Sequence, residues 1–259
     1  MTYHLAGDST VAACPPAEFP MSGWGALLDA HVDAPVRNLA VGGGTTESCR
    51  ETYWPELLAG LAPGDTVLIQ FGHNDQKQPE LLGARTGYAE QLRNMVAEVR
   101  AREAWPVLCT SVERRRFVGD RIEPSHGDYP DTVRDLAHEL DVPLIDLQVF
   151  TSWLYEDLGV EDSRSLLSHY PRGLHRTWPD GLADDTHFQR RGANKIAAFV
   201  GWSLRAIERR DGHRLAAGDP RGGGLNPDAT TSVGPTDQTD QTGPTDPAAP
   251  SAPTAQEPR

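Results

Sequence analysis

The sequence predicts an α/β protein, a three-layer α/β/α sandwich built on about five parallel strands. Three observations point there. Apolar extended segments alternate with segments of helical periodicity along residues 1–213. The segment Val67-Leu68-Ile69-Gln70-Phe71 is nearly all apolar, as a central strand buried on both faces requires. An alternation of strand and helix implies parallel strands joined by right-handed crossovers, with helices covering both faces of the sheet.

The elements follow in order. Strands are expected at Tyr3 to Ala6, Val36 to Val41, Thr66 to Phe71, Pro106 to Val112 and Pro143 to Leu147. Helical patterns fall near 22–32, 51–60, 87–104, 129–140 and 189–209. In the last of these, Ile196, Phe199/Val200, Ser203/Leu204 and Ile207 recur at helical spacing. Residues 214–259 differ from the rest: eight Pro, six Gly and seven Thr, with no aromatic residue and no Ile. Such a segment cannot bury enough apolar surface to offset the entropy of ordering it, so a folded domain over 1–213 and a disordered tail over 214–259 are expected.

Composition narrows the function. The chain of 259 residues carries 24 Lys and Arg against 37 Asp and Glu, a formal charge of −13. An acidic surface is poorly suited to nucleic acid or to an anionic membrane, and neither is an expected partner. No apolar run approaches the roughly 18 residues of a membrane-spanning helix. Nor does the N-terminus show a basic start and an apolar stretch of about 7–15 residues, so a cytoplasmic location is expected. Cys14, Cys49 and Cys109 form no CxxC pair and read as reduced structural residues.

In parallel sheets of this kind, ligands bind beyond the carboxyl ends of the strands. Gly7-Asp8-Ser9-Thr10 follows the first strand. Asn38-Leu39-Ala40-Val41-Gly42-Gly43-Gly44 ends the second, and Gly72-His73-Asn74-Asp75 follows the third. Asp184-Asp185-Thr186-His187 precedes the last helix and is expected as a loop that presents both a carboxylate and an imidazole. A serine hydroxyl becomes a useful nucleophile when a His takes its proton, and a carboxylate fixes the tautomer of that His. The oxyanion then needs donors, which backbone N–H groups at Ser9 and in the glycine run, with the Asn74 amide, could supply.

These four blocks resemble the SGNH (GDSL-like) hydrolases, and their wording is closest to rhamnogalacturonan acetylesterases and bacterial relatives. Ala6-Gly7-Asp8-Ser9-Thr10, Gly23-Trp24-Gly25, Asn38-x-Ala-Val-x-Gly43, Gly72-His73-Asn74-Asp75 and Asp184-x-Thr186-His187 with Gly192-Ala193 carry the likeness. The resemblance implies a flavodoxin-like sandwich and a catalytic triad of Ser9, Asp184 and His187. It also implies an oxyanion hole of Ser9, Gly43 and Asn74, and no metal or cofactor. The position after Gly43 is often Arg in such acetylesterases but is Gly44 here, and the run Gly42-Gly43-Gly44 leaves the assignment open by one residue. Residue 11 is Val, so a Gly-x-Ser-x-Gly elbow is absent.

The expected activity is removal of O-acetyl groups from a carbohydrate, with a small acetylated sugar or oligosaccharide derived from rhamnogalacturonan or pectin as partner. His73, Arg176 and Trp178 are candidate substrate contacts, since an aromatic face and a guanidinium suit a sugar acid. Arg114-Arg115-Arg116 reads as a solvated loop and His126 as an ordinary core or surface histidine. Three alternatives stay open. One is a lysophospholipase or thioesterase of the same superfamily; another is a metal-dependent hydrolase using Asp8, His73, Asp75 and His187. The third is a sugar-binding protein without turnover.

Overall fold

Five strands form one parallel sheet in the computed structural model, which describes residues 1–210. The expected domain end at 213 and the segment 214–259 lie outside the described residues. The strands are β1 (Tyr3–Gly7), β2 (Val36–Asn38), β3 (Thr66–Gln70), β4 (Trp105–Cys109), β5 (Phe117–Val118), β6 (Arg121–Ile122), β7 (Leu144–Ile145), β8 (Leu167–Tyr170) and β9 (Leu182–Phe188). The helices are α1 (Thr46–Thr52), α2 (Trp54–Ala59), α3 (Pro79–Leu82), α4 (Gly87–Arg100), α5 (Tyr129–Glu139), α6 (Leu147–Asp162) and α7 (Arg190–Arg210). The sheet order is β2-β1-β3-β4-β7, every neighbouring pair parallel, while β5 pairs with β6 and β8 with β9 as antiparallel ribbons.

The side-chain period of two sends alternate strand residues to two cores. Leu5, Leu68, Val107 and Cys109 join Trp24, Leu28, Ile196 and Val200 in one apolar cluster. Ala6, Val67, Ile69 and Leu108 join Trp54, Leu92, Met95 and Val133 in the other. Helix α4 turns Tyr88, Leu92, Met95, Val96 and Val99 inward at helical spacing, so one stripe of it closes the second core.

Several expected elements take a different form. Residues 24–31 are a 3-10 helix, because Trp24, Leu27 and Leu28 bury one face in either helical geometry. The helix expected at 51–60 is two helices that begin earlier, at Thr46. Thr45 and Ser48 cap α1 reciprocally, and Pro55 in the first turn of α2 sets the break between them. The sheet strands β2, β4 and β7 end two to three residues sooner than the apolar runs suggest. Helix α6 was not expected at all. Its exposed Val149 and Trp153 blur the apolar stripe, yet Asp146 caps it by accepting from Val149 N at 3.2 Å.

The segment read as a loop before the last helix is strand β9, paired with β8 with an irregular register between Leu167 and His169. Gly201 lets α7 approach the 3-10 segment: a Cβ there would lie 2.5 Å from the His31 carbonyl oxygen. The end of β9 is tied to the segment that follows β1 by Ser22 N donating to Phe188 O at 3.0 Å and Arg190 N donating to Pro20 O at 2.7 Å.

Candidate active site

Ser9 stands one residue past the buried Asp8, at the carboxyl end of β1. The backbone N–H groups of Val11 and Ala12 both donate to the Asp8 carbonyl, at 3.1 and 3.0 Å, which curls the chain sharply after the strand. A buried hydrogen-bond chain holds this curl from below. Trp24 Nε1 donates to Gln70 Oε1 at 2.8 Å, Gln70 Nε2 to Thr10 Oγ1 at 2.7 Å, and Thr10 Oγ1 to Asp8 Oδ1 at 2.8 Å. Every member is buried, so the chain exchanges no partner with water and rigidifies the loop.

His187 Nε2 lies 2.9 Å from Ser9 Oγ, across 178 residues of sequence. On the other side of the ring, His187 Nδ1 lies 2.7 Å from Asp184 Oδ2. Asp184 Oδ1 accepts from Thr186 N at 2.7 Å and from His187 N at 2.8 Å. The carboxylate thus folds the strand around itself, and two residues three apart face each other instead of opposite sides of the sheet. Burial alone would raise the Asp184 pKa, but the bonds from the His187 ring and backbone outweigh it and hold the carboxyl below its ordinary value. The bond to Asp184 raises His187 above 6.5 against the effect of burial. With the Nδ1 proton directed to Asp184, Nε2 presents its lone pair to Ser9.

Two loops face this pair. Gly44 N donates to Val41 O at 3.1 Å, closing a tight turn in which Gly43 has φ of +76°. That left-handed conformation explains a glycine at 43. Among the described residues the N–H groups of Ser9 and Gly43 find no protein acceptor. Asn38 orients the approach to this turn: its Nδ2 donates to Val11 O at 2.9 Å and its Oδ1 accepts from Ala40 N at 3.1 Å. On the opposite side, Asn74 Nδ2 donates to Gly44 O at 3.0 Å, and Lys77 Nζ donates to Asn74 Oδ1 at 2.9 Å. Asp75 is structural. Its Oδ1 accepts from Thr46 N and Thr46 Oγ1, and its Oδ2 from Gly72 N.

The cleft above these groups has a volume of about 900 Å³. Ser9, Gly43, His73, Asn74, Trp178 and His187 line it. Trp178 packs against Tyr170 and His175, with ring centroids 5.6 and 4.5 Å away. Arg176 is exposed and is not among the lining residues. A separate cavity of about 480 Å³, bordered by Tyr3, Trp105 and Leu204, lies at the opposite ends of the strands.

The expectation of a solvated arginine loop is corrected. Arg115 is buried, bonded to Asp185 at 2.8 Å and to Ser163 at 2.9 Å, and Arg114 lines the cleft; only Arg116 is exposed. Sequence reading also missed Lys77 and the partners of His73. Lys77 follows Asn74 by three residues, a spacing that a turn would bring together. Nothing local announces the pairing of residues 113 and 126 with residue 73. Among the described residues no three His, Cys, Asp or Glu side chains are grouped as metal ligands.

Residues 5–195 match the model of the GDSL-like Lipase/Acylhydrolase family. The chain belongs to that family. Within this GDSL-like family, it is 44% identical over 200 residues to Rhamnogalacturonan acetylesterase RhgT of Bacillus subtilis (strain 168), covering 76% of this chain and 86% of that protein. It is 28% identical over 210 residues to "Probable rhamnogalacturonan acetylesterase YesY" of the same organism, covering 79% and 92%. The crystal structure of the Bacillus subtilis protein YxiM superposes with a TM-score of 0.67 at 28% identity. That match covers 81% of this chain and 56% of the larger protein, so this chain spans little more than half of it. The resemblance read from the four blocks is therefore borne out at the level of the family and its parallel five-strand fold.

Proposed function

We propose that the protein is a serine esterase that removes O-acetyl groups from carbohydrate, with rhamnogalacturonan or pectin-derived oligosaccharides as substrates. The observation that carries this reading is the continuous line from Asp184 through His187 to Ser9, with bonds of 2.7 and 2.9 Å. The names of the two Bacillus relatives support the acetylated pectic substrate. The cleft volume supports it too, since it has room for a sugar beyond the ester.

In this reading Ser9 Oγ attacks the ester carbonyl and gives its proton to His187 Nε2. The carbonyl oxygen becomes an oxyanion, held by the N–H groups of Ser9 and Gly43 and by the Asn74 amide. As the tetrahedral intermediate collapses, the bond to the sugar oxygen breaks and His187 returns the proton to that oxygen. The acetyl group remains on Ser9. His187 then takes a proton from water, which attacks the acetyl carbon; the bond to Ser9 Oγ breaks, His187 returns the proton to Ser9 Oγ, and acetate leaves. Asp184 steadies the imidazolium in both halves.

A rate series on p-nitrophenyl esters from acetate to octanoate, beside acetate release from acetylated rhamnogalacturonan oligosaccharides, tests the substrate class. The reading predicts the highest kcat/KM at acetate and release from the oligosaccharides. A maximum at octanoate would contradict it.

A further inference from the structure

A second buried relay ends in the same cleft. Glu113, His126 and His73 are 1%, 0% and 3% exposed, from separate parts of the chain. His126 Nδ1 lies 3.1 Å from Glu113 Oε1, and His126 Nε2 lies 3.0 Å from His73 Nδ1. His73 Nε2 is buried and has no hydrogen-bond partner among the described residues.

The proton positions follow from the partners. Glu113 Oε1 also accepts from Arg114 N at 2.9 Å and Ser125 N at 3.1 Å and from the Ser125 hydroxyl, and its Oε2 accepts from Gln148 Nε2 at 2.8 Å. Burial opposes its charge, but these donors and His126 hold its pKa down at about 2. A carboxylate only accepts, so His126 Nδ1 carries a proton and donates to it. Arg114 Nη1 lies 3.2 Å from His126 Nε2, and a guanidinium only donates, so that nitrogen is an acceptor. His73 Nδ1 must then donate to it. Burial, reinforced by the Arg114 guanidinium, keeps His73 neutral. Its remaining nitrogen, Nε2, is left with a lone pair. An unmet acceptor in a site from which water is excluded is costly unless a ligand supplies the donor.

We propose that His73 is a specificity-determining residue whose Nε2 accepts a hydrogen bond from a free hydroxyl on the sugar next to the acetylated oxygen. The inference rests on the esterase reading above and names the substrate feature that the site selects. A neighbouring oxygen that is itself acetylated has no proton to give, so the preferred substrate is the monoester of a vicinal diol.

The test compares kcat/KM for two methyl glycosides. Both carry one acetyl group; one has a free vicinal hydroxyl and the other has hydrogen in its place. The native protein should favour the hydroxyl-bearing substrate by about tenfold, the scale of one hydrogen bond to a buried group. Two substitutions separate recognition from scaffolding. In His73→Gln, the amide oxygen reaches to where Nε2 stands, and the preference should survive. In His73→Asn, the amide replaces Nδ1 and keeps the bond to His126 but offers nothing at Nε2, and the ratio should fall to about one. A purely structural His73 would leave the ratio in His73→Asn at its native value, and a ratio near one in the native protein would overturn the proposal by itself. Turnover of both glycosides without discrimination refutes this inference alone. No turnover of either one, nor of simple acetate esters, refutes the esterase reading and this inference with it.

Discussion

Lys77 Nζ sits 2.9 Å from Asn74 Oδ1, while Asn74 Nδ2 sits 3.0 Å from the Gly44 carbonyl. An ammonium donates and a carbonyl accepts, so these two contacts fix which end of the amide is which. One proton of Nδ2 is used by Gly44, and in the proposed mechanism the other serves the oxyanion. Asn74→Ala is expected to lower kcat by about 100-fold to 1,000-fold, the usual cost of one oxyanion donor. Lys77→Met should give a smaller loss in kcat with the same sign. Steady-state kinetics on p-nitrophenyl acetate check both. An unchanged kcat in Asn74→Ala would remove that residue from the oxyanion hole.

The pH profile follows from His187. Catalysis needs its neutral form, and the bond to Asp184 raises its pKa above 6.5, so activity should fall with acid along a limb centred above 6.5. Asp184→Asn removes the largest cause of that rise. The limb should move to lower pH, and kcat should drop by about three to four orders of magnitude as the imidazole loses its fixed tautomer. A pH–rate profile of kcat/KM for both proteins measures the two effects together.

Asp8 predicts a dependence of stability on pH. Burial pushes its pKa from 3.8 up to about 6, against the bonds from Thr10, so the folded state binds a proton more tightly than the unfolded chain. The stability from this group is fully present below 3.8 and is lost as pH rises through about 6. The loss is at most about 3 kcal/mol, from the size of the shift. Asp8→Asn, which cannot ionise, should flatten the melting temperature across that window. It should also lower the acid limb of activity, because the Asp8 charge helps to raise His187.

Gly43 predicts a separable strain. A Cβ on it would meet no atom within 4 Å, so Gly43→Ala suffers only from φ of +76°. The expected cost is about 1–2 kcal/mol of stability, together with a fall in kcat as the turn shifts its N–H away from the cleft. Gly119 offers the control. It has φ of +65° and equally open space, and it lies in the β5–β6 turn, away from the cleft. Gly119→Ala should lose comparable stability and keep its activity. Thermal melts and kinetics on both variants decide the matter.

The parallel core was legible because it rests on local signals. A run such as Val67 to Phe71 has nowhere to go but the middle of a sheet, and residues just beyond such strands lie at the ligand-binding edge. Ser9, Asn74 and the glycine turn stand at strand ends for that reason. Strand β9 was not legible as a strand, because its alternation is mixed and Asp184 bends it through its own bonds to Thr186 and His187. Helix α6 was hidden by the exposed Trp153 and Val149. The Glu113–His126–His73 relay lay beyond any spacing rule, since the segments after β4, β6 and β3 each supply one member.

In the proposed mechanism Ser9 Oγ is the atom that carries the acetyl group. Rapid acid quenching during turnover of p-nitrophenyl acetate, followed by peptide mass mapping, reads this directly. An acetyl adduct on the peptide at Ser9 is expected in the native protein, with neither adduct nor turnover in Ser9→Ala. An adduct on another residue, or undiminished acetate release by Ser9→Ala, would contradict it.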